Sequence, residues 1–332
     1  MKAELVSAFF ICISLFRFLK YILYFLISIL LLLLVVPYLI PLPKQKINKV
    51  LPFQNSSFLK LGNTNVHYRV WESKSDTIEN YVFLFHGFAG STYSFETLVP
   101  YLQQSNCKVV AIDLPAFGYS DKSSTADFSD SLRVQIALEL MNRINPNVPW
   151  IVVGHSMGGH ATACLAHYFP NKVKKLVFID GVPFLKIKRS KSSFLLGIHP
   201  LKRWAEIIAH YFLYTEDKFA DLLGSAYGVS PRPQQVKAYL QPFLLPGSAS
   251  AILKMASLNK SISIDIKKLN EIPKLILWGE NDTWVSIQSA YDFFNQNKNS
   301  QLQIISGAGH CPMETHPAET SFQIIKFCRN EN

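Results

Sequence analysis

Paired cysteines are missing from this sequence. Its five cysteines, Cys12, Cys107, Cys164, Cys311 and Cys328, show no regular spacing and no C-x-x-C. That excludes a disulfide framework or a cysteine-based metal site as the organising principle, and they read as small apolar residues. Charge is scarce as well, at 17% of residues against 49% hydrophobic, which excludes a disordered chain. There are no internal repeats, and no low-complexity tract apart from one apolar run near the N-terminus. The net charge is +10, yet no nucleic-acid recognition motif accompanies it, so nucleic acid is not an expected partner.

The distribution of that charge is informative. Residues 1–50 carry +5 and residues 181–272 carry +7, whereas the remainder carries −2. The positive charge therefore belongs to the N-terminal flanks and to one internal segment, and an anionic membrane surface suits it. The apolar run Tyr21–Ile40 has twenty residues and no charge, enough to cross a bilayer core of about 30 Å as a helix. A cleaved secretory signal is the rival. The run exceeds the usual apolar length of about 7–15 residues for such a signal, and VVPYLIPLP offers no small-x-small cleavage site. The expectation is a single-pass N-terminal membrane anchor. Lys2, Arg17 and Lys20 before it and Lys44, Lys46 and Lys49 after it leave its orientation open.

Beyond Pro41–Pro52, apolar runs alternate with stretches of helical spacing. Strands are expected at Phe58–Leu61, Val66–Trp71, Tyr81–Phe85, Lys108–Leu114, Trp150–Val153, Val173–Ile179, Leu275–Trp278 and Gln301–Ile305. Intervening helices are expected at Thr92–Leu102, Phe128–Ile144, Met157–Tyr168, Ser286–Asn295 and Pro317–Cys328. Such alternation implies an α/β fold with a mostly parallel, doubly wound sheet covered on both faces. It breaks between Asp180 and Pro273, where four helices are expected, at Lys202–Tyr214, Asp217–Tyr227, Gln234–Leu244 and Ala249–Leu258. This segment holds ten aromatic residues, among them Phe184, Phe194, Trp204, Tyr211, Phe212, Tyr214 and Phe219. It interrupts the sheet at the strands' carboxyl edge, where ligands enter open α/β sheets, so it reads as a lid. The expected organisation is a membrane anchor at 1–43, a core at 44–180, a helical lid insertion at 181–272 and the rest of the core at 273–332. Lys186, Lys188, Arg189, Lys191 and Lys202 would turn the basic lid towards anionic headgroups.

The stretch Trp150–Gly159, WIVVGHSMGG, carries the first chemical signal. A buried strand runs into Gly154-His155-Ser156-Met157-Gly158, which matches G-x-S-x-G and opens a helix. A serine in so sharp a turn has its hydroxyl lifted clear of the sheet, and the flanking glycines avoid collisions with backbone. A serine hydroxyl is a weak nucleophile and needs a base and a group to orient that base. His310, in the glycine-flanked loop Ser306–Cys311 after the last strand, is the candidate base. Asp282, in the turn after the preceding strand, is the candidate acid, with Glu280 and Asp180 as alternatives because each also follows a strand. Backbone N–H groups must bind the developing oxyanion. The candidates are Met157, at the positive start of the helix, and Phe88, in the open loop HGFAG. His86, His155, His160 and His167 are read as packing or hydrogen-bonding residues.

HGFAG at 86–90, DLPAFGYSD at 113–121, GHSMGG at 154–159, WGENDTWV at 278–285 and GAGHCPMETHP at 307–317 follow one another in a set order. In that order they resemble the motifs of serine hydrolases of the α/β-hydrolase fold, from about residue 55 to the end. The resemblance implies that Asp282 is the acid, that Asp113 and Gly118 belong to a structural turn, and that no cofactor is needed. Relatives with an aspartate nucleophile are set aside because Ser156 holds that position. The anchor-plus-domain layout is similar to membrane-associated monoacylglycerol lipases and related esterases. The expected activity is cleavage of carboxylic esters, with lipid acyl esters as the substrate class, through an acyl-enzyme. The alternatives are a C–C bond hydrolase of a diketone-type metabolite and a non-catalytic binding module on the same fold.

Overall fold

The computed structural model describes residues 2–42, 51–123, 125–183, 198–257 and 262–330. Its centre is an eight-stranded sheet, made of β1 (Ser56–Leu61), β2 (Thr64–Trp71), β3 (Asn80–Phe85), β4 (Cys107–Ile112), β5 (Trp150–His155), β6 (Val173–Ile179), β7 (Lys274–Gly279) and β8 (Ser300–Ile305). The spatial order is β1-β2-β4-β3-β5-β6-β7-β8. β2 runs antiparallel to β1 and β4, and all other pairs are parallel. β5 lies in the interior of the sheet and is buried along its whole length. Continuous apolar runs fit such doubly covered strands, because both faces of the pleat meet helices.

Two apolar cores result, one on each face. One includes Phe83, Phe85, Trp150, Val152, Phe178, Ile276 and Trp278. The other includes Val82, Leu84, Ile151, Val153, Val177, Ile179 and Leu277. Alternate residues of single strands divide between them, as a period-2 pleat requires.

The helices are α1 (Lys2–Leu39), α2 (Val99–Gln104), α3 (Asp130–Ile144), α4 (Gly158–Tyr168), α5 (His199–Ile208), α6 (Glu216–Tyr227), α7 (Pro233–Leu240), α8 (Ser248–Ser257), α9 (Gln288–Gln296), α10 (Pro312–Thr315) and α11 (Pro317–Cys328). Three expectations need correction. The single helix expected at Thr92–Leu102 is a 3-10 turn, Thr92–Phe95, followed by α2. Ser91 caps the turn by accepting from the Tyr93 N–H, and Pro100 occupies the first turn of α2, where its missing N–H costs nothing. The helix expected to run to Tyr214 ends at Ile208 and widens into a π-turn, Ala209–Leu213. The helix expected to run to Leu244 stops at Leu240, and a 3-10 turn containing Pro242 completes it.

α1 is longer than the uncharged run that announced it. Ile13–Leu39, 27 residues, is long and apolar enough to cross a membrane, and at 1.5 Å per residue it measures about 40 Å. Arg17 and Lys20 lie within it and do not interrupt the helix. The end of α1 meets α5. Pro37 has no N–H to offer the Leu33 carbonyl one turn back, and the Trp204 indole N–H donates there instead, at 3.0 Å. Arg203 donates to the carbonyls of Pro37 (3.2 Å) and Ile40 (3.1 Å), and the Tyr211 hydroxyl to that of Pro41 (2.6 Å). The last turn of α1 has no basic residue of its own, so a guanidinium from α5 sits at the negative end of its dipole.

Of the helices between β6 and β7, α6 and α7 touch loops at the carboxyl edge of the sheet. The Ala226 carbonyl on α6 accepts from the His310 N–H at 2.7 Å. The Tyr239 hydroxyl on α7 pairs with Ser94 Oγ at 2.8 Å. Trp284 Nε1, in the loop after β7, donates to Ser225 Oγ on α6 at 3.2 Å. Phe184, Lys186, Lys188, Arg189, Lys191 and Phe194, assigned above to a membrane-facing lid, lie outside the described residues.

Candidate active site

The turn from β5 into α4 sets the position of Ser156. Its φ is +50°, a left-handed conformation a serine adopts only under constraint. The glycines around it are explained by contact. A Cβ on Gly154 would lie 2.3 Å from Thr162 Oγ1 and 2.4 Å from the Gly158 carbonyl oxygen. One on Gly158 would lie 2.2 Å from the Phe85 carbonyl oxygen, so α4 could not approach β3 as it does. The Ser156 N–H donates to the Ile179 carbonyl at 2.9 Å, tying the turn to the neighbouring strand.

The loops after β7 and β8 bring Asp282 and His310 to this serine. His310 Nε2 is 3.0 Å from Ser156 Oγ, and His310 Nδ1 is 2.8 Å from Asp282 Oδ2. Asp282 Oδ1 accepts from the N–H groups of Trp284 (2.8 Å) and Val285 (3.0 Å). Burial works to raise the Asp282 carboxyl. The hydrogen bond and charge of His310, with those two N–H groups, outweigh it and hold the carboxyl below its usual range. A carboxylate that stays ionised beside Nδ1 makes Nδ1 the protonated nitrogen and leaves Nε2 free to accept from the serine.

Of the two alternatives for the acid, Glu280 turns outward and accepts from Ser306 Oγ (2.8 Å) and the Gly307 N–H (2.9 Å). Asp180 is more interesting. It ends β6 with φ +45°, is fully buried, and its Oδ1 accepts from the Gly279 N–H at 2.8 Å. Burial, and then the charge of Asp282, push its carboxyl well above the usual range, so it is protonated. Its Oδ2 would be an unpartnered buried atom if ionised. A carboxyl that keeps its proton has a donor to offer the neighbouring Asp282 carboxylate. Ligand-type atoms of Asp180, Asp282 and His310 lie within 4.8 Å of one another. Both ring nitrogens of His310 are already engaged and Asp180 carries a proton, so this donor set suits proton sharing rather than a cation.

The loop after β3 passes directly against the serine. A Cβ on Gly87 would be 3.0 Å from Ser156 Cβ, which sets Phe88 beside it. Among the described residues, neither the Phe88 N–H nor the Met157 N–H has a hydrogen-bond acceptor. His86 holds this loop, with Nδ1 donating to the Gly87 carbonyl (2.7 Å) and Nε2 accepting from the Leu114 N–H (2.8 Å). Burial depresses its pKa to about 4, so it is neutral, as those two bonds require. His155 is depressed to about 3 by burial and then by His310, and its Nε2 donates to the His310 carbonyl at 2.8 Å. Asp113 accepts from His67 (2.7 Å), the Thr92 N–H (2.6 Å) and the Tyr119 N–H (2.7 Å), the pattern of a turn-forming residue.

Two participants lay inside recognised motifs without an assigned role. Trp284 stacks on His310 with ring centroids 5.3 Å apart and planes 23° apart. Glu314 is buried under α6 and α7, accepting from the Tyr227 hydroxyl (2.7 Å) and from the Tyr239 hydroxyl. Burial raises its carboxyl to about 7 despite those donors. Their aromatic and acidic character marked them as candidates, but only the packing of distant segments defines what they touch.

Comparison with known proteins places the chain in a family. The chain is 26% identical to the uncharacterized hydrolase YugF of Bacillus subtilis over 254 residues, covering 74% of this chain and 88% of that one. It is 23% identical to the monoacylglycerol lipase ABHD6 of Mus musculus over 256 residues, 74% of each chain. Among solved structures, a membrane phospholipase A described as a bacterial virulence factor superposes with a TM-score of 0.65. Its identity is 23%, and the match covers 95% of this chain and 99% of that one. The sequence profile of the alpha/beta hydrolase fold matches residues 80–317, from the first residue of β3 to the first residue of α11, and the chain belongs to that family.

Proposed function

We propose that this hydrolase is a membrane-anchored serine hydrolase that cleaves carboxylic esters of lipidic acyl chains. The observation that carries the reading is the chain of contacts from Ser156 Oγ to His310 Nε2 (3.0 Å) and from His310 Nδ1 to Asp282 (2.8 Å). Ser156 Oγ attacks the ester carbonyl while His310 Nε2 takes its proton, and Asp282 stabilises the imidazolium. The N–H groups of Phe88 and Met157 bind the oxyanion, each worth about 3–4 kcal/mol where such donors have been removed. Collapse of the tetrahedral intermediate breaks the C–O bond, and His310 returns the proton to the departing alcohol. Water, deprotonated by the same imidazole, then releases the acid from Ser156.

The anchor reading draws support from the junction of α1 with α5. Removal of α1 as a signal would strip Arg203, Trp204 and Tyr211 of the carbonyls they bind. Lipidic substrates are supported by that anchor and by the names of a monoacylglycerol lipase and a membrane phospholipase among the similar proteins.

The test is covalent labelling by a fluorophosphonate. The full chain is expected to label and to hydrolyse short-chain esters, and Ser156→Ala is expected to lose both by several orders of magnitude while staying folded. Ester turnover surviving in that variant would sink the assignment.

A further inference from the structure

Resting on the anchor reading above, we propose that α5 and the π-turn after it form an interfacial element lying on the bilayer that α1 crosses, through which an acyl lipid passes from membrane to site. Ile207 is the one residue of α5 that is buried. Leu201 and Ile208 on the helix, and Tyr211, Phe212 and Leu213 on the π-turn, are exposed, Phe212 at 66%. Leu201, Ile208 and Phe212 follow helical spacing, so the apolar side chains form a stripe along one face. A stripe of this kind facing water is an unused docking surface.

What covers it is indicated by its place in the molecule. Trp204, Arg203 and Tyr211 are bound to carbonyls between Leu33 and Pro41, so the stripe is fixed at the end of the apolar span. Tyr38 and Leu39, at the end of α1, are exposed apolar residues as well. A cleft of about 530 Å³ opens at this junction, lined by Tyr38, Leu39, Arg203, Pro246 and Gly247 among others. Residues that surround the end of a membrane span lie at the headgroup level. There, a tryptophan, a tyrosine and an arginine with apolar neighbours match both phases. The element is also tied to the rest of the insertion, because Glu206 joins Arg203 (3.3 Å) to Ser250 on α8. The insertion is thereby held at the bilayer, with the α6 end that touches His310 as part of the same layer.

The test uses the full-length chain in phosphatidylcholine vesicles. A fluorophore is attached at Phe212→Cys and, in a second protein, at Phe322→Cys, an exposed position on α11. The labelled unmutated chain supplies the background from native cysteines. Quenching at 212 by lipids brominated near the headgroup, with position 322 open to aqueous iodide, is the expected result. Equal access of iodide to both positions overturns the proposal. So does cross-linking of two copies through position 212 in place of lipid quenching, which would assign the stripe to a second copy of the chain. In parallel, Phe212→Asp with Leu213→Asp is expected to lower the ratio of turnover on a vesicle-embedded acyl ester to turnover on a soluble ester by about tenfold, the equivalent of 1.4 kcal/mol. An unchanged ratio overturns the passage of substrate along this surface. Lipid quenching at 212 in a chain without any ester turnover would support the interface and remove the hydrolase reading alone.

Discussion

At the carboxyl edge of the sheet, Ser156, His310 and Asp282 are joined by hydrogen bonds and packed among residues that leave them little freedom. Some residues away along the chain, α5 and the π-turn leave Leu201, Ile208, Phe212 and Leu213 exposed and bury only Ile207. The first region is complete within the protein. The second leaves apolar side chains exposed, the surface proposed above to meet the bilayer. Chemistry needs reacting groups held to a fraction of an ångström, which only a packed interior provides. Delivery of substrate needs a surface that stays open until its partner is present. Changes in the first region should therefore act on every substrate, and changes in the second only on those presented by a membrane.

Asp282→Asn offers the sharpest way to break this division. An amide cannot hold Nδ1–H in place or offset the imidazolium charge, so turnover on soluble and vesicle-borne esters should fall together by about 10⁴, the scale seen for such a change in another triad. A loss confined to one class of substrate would show that the two regions are not separable as argued.

Asp180 should give a smaller effect that depends on the replacement. Asp180→Asn retains an acceptor for the Gly279 N–H and a donor for Asp282, so turnover should stay near that of the unaltered protein. Asp180→Ala removes both, leaving a buried N–H unpaired at a cost of about 1–3 kcal/mol. The freed Asp282 should then lower kcat by up to about a hundredfold. If Asp180→Asn proves more damaging than Asp282→Asn, the acid of the triad is Asp180.

The smallest effect concerns Glu314, buried between the loop after β8 and the helices α6 and α7. Its carboxyl titrates near 7 in the folded protein, against 4.5 for a free glutamate. The folded state therefore binds this proton more tightly than the unfolded one. The resulting stabilisation is full below about pH 4.5 and is lost as pH rises through 7. Thermal unfolding of the full chain should accordingly move down by a few degrees between pH 5 and pH 8. Glu314→Gln, neutral throughout and still able to accept from Tyr227 and Tyr239, should flatten that slope. Equal slopes in the two proteins would place the pH dependence elsewhere.

Much of the core was legible in the sequence because its causes are local. Val82–Phe85 and Trp150–Val153 are apolar without interruption, and a strand covered on both faces needs that property and little else. Gly154 and Gly158 are required by contacts no other residue survives, so the serine turn announces itself within five positions. Asp282 and His310 stand in short loops at strand ends, and a parallel sheet delivers strand ends to one edge.

Other features depend on residues far apart in the chain. Nothing around Asp180 shows that it would lie beside Asp282 and keep its proton, since both conditions arise from two strands becoming neighbours. Nothing around Trp204 or Arg203 shows that their partners would be carbonyls some 170 residues earlier. Pro37 lies inside α1 and leaves the Leu33 carbonyl without an N–H from its own helix, but the donor that answers it comes from another helix. Periodicity and motif spacing report which groups a segment can hide or expose. Which distant group meets them is decided only when the chain closes on itself, because buried polar atoms and helix ends must find partners wherever the fold supplies them.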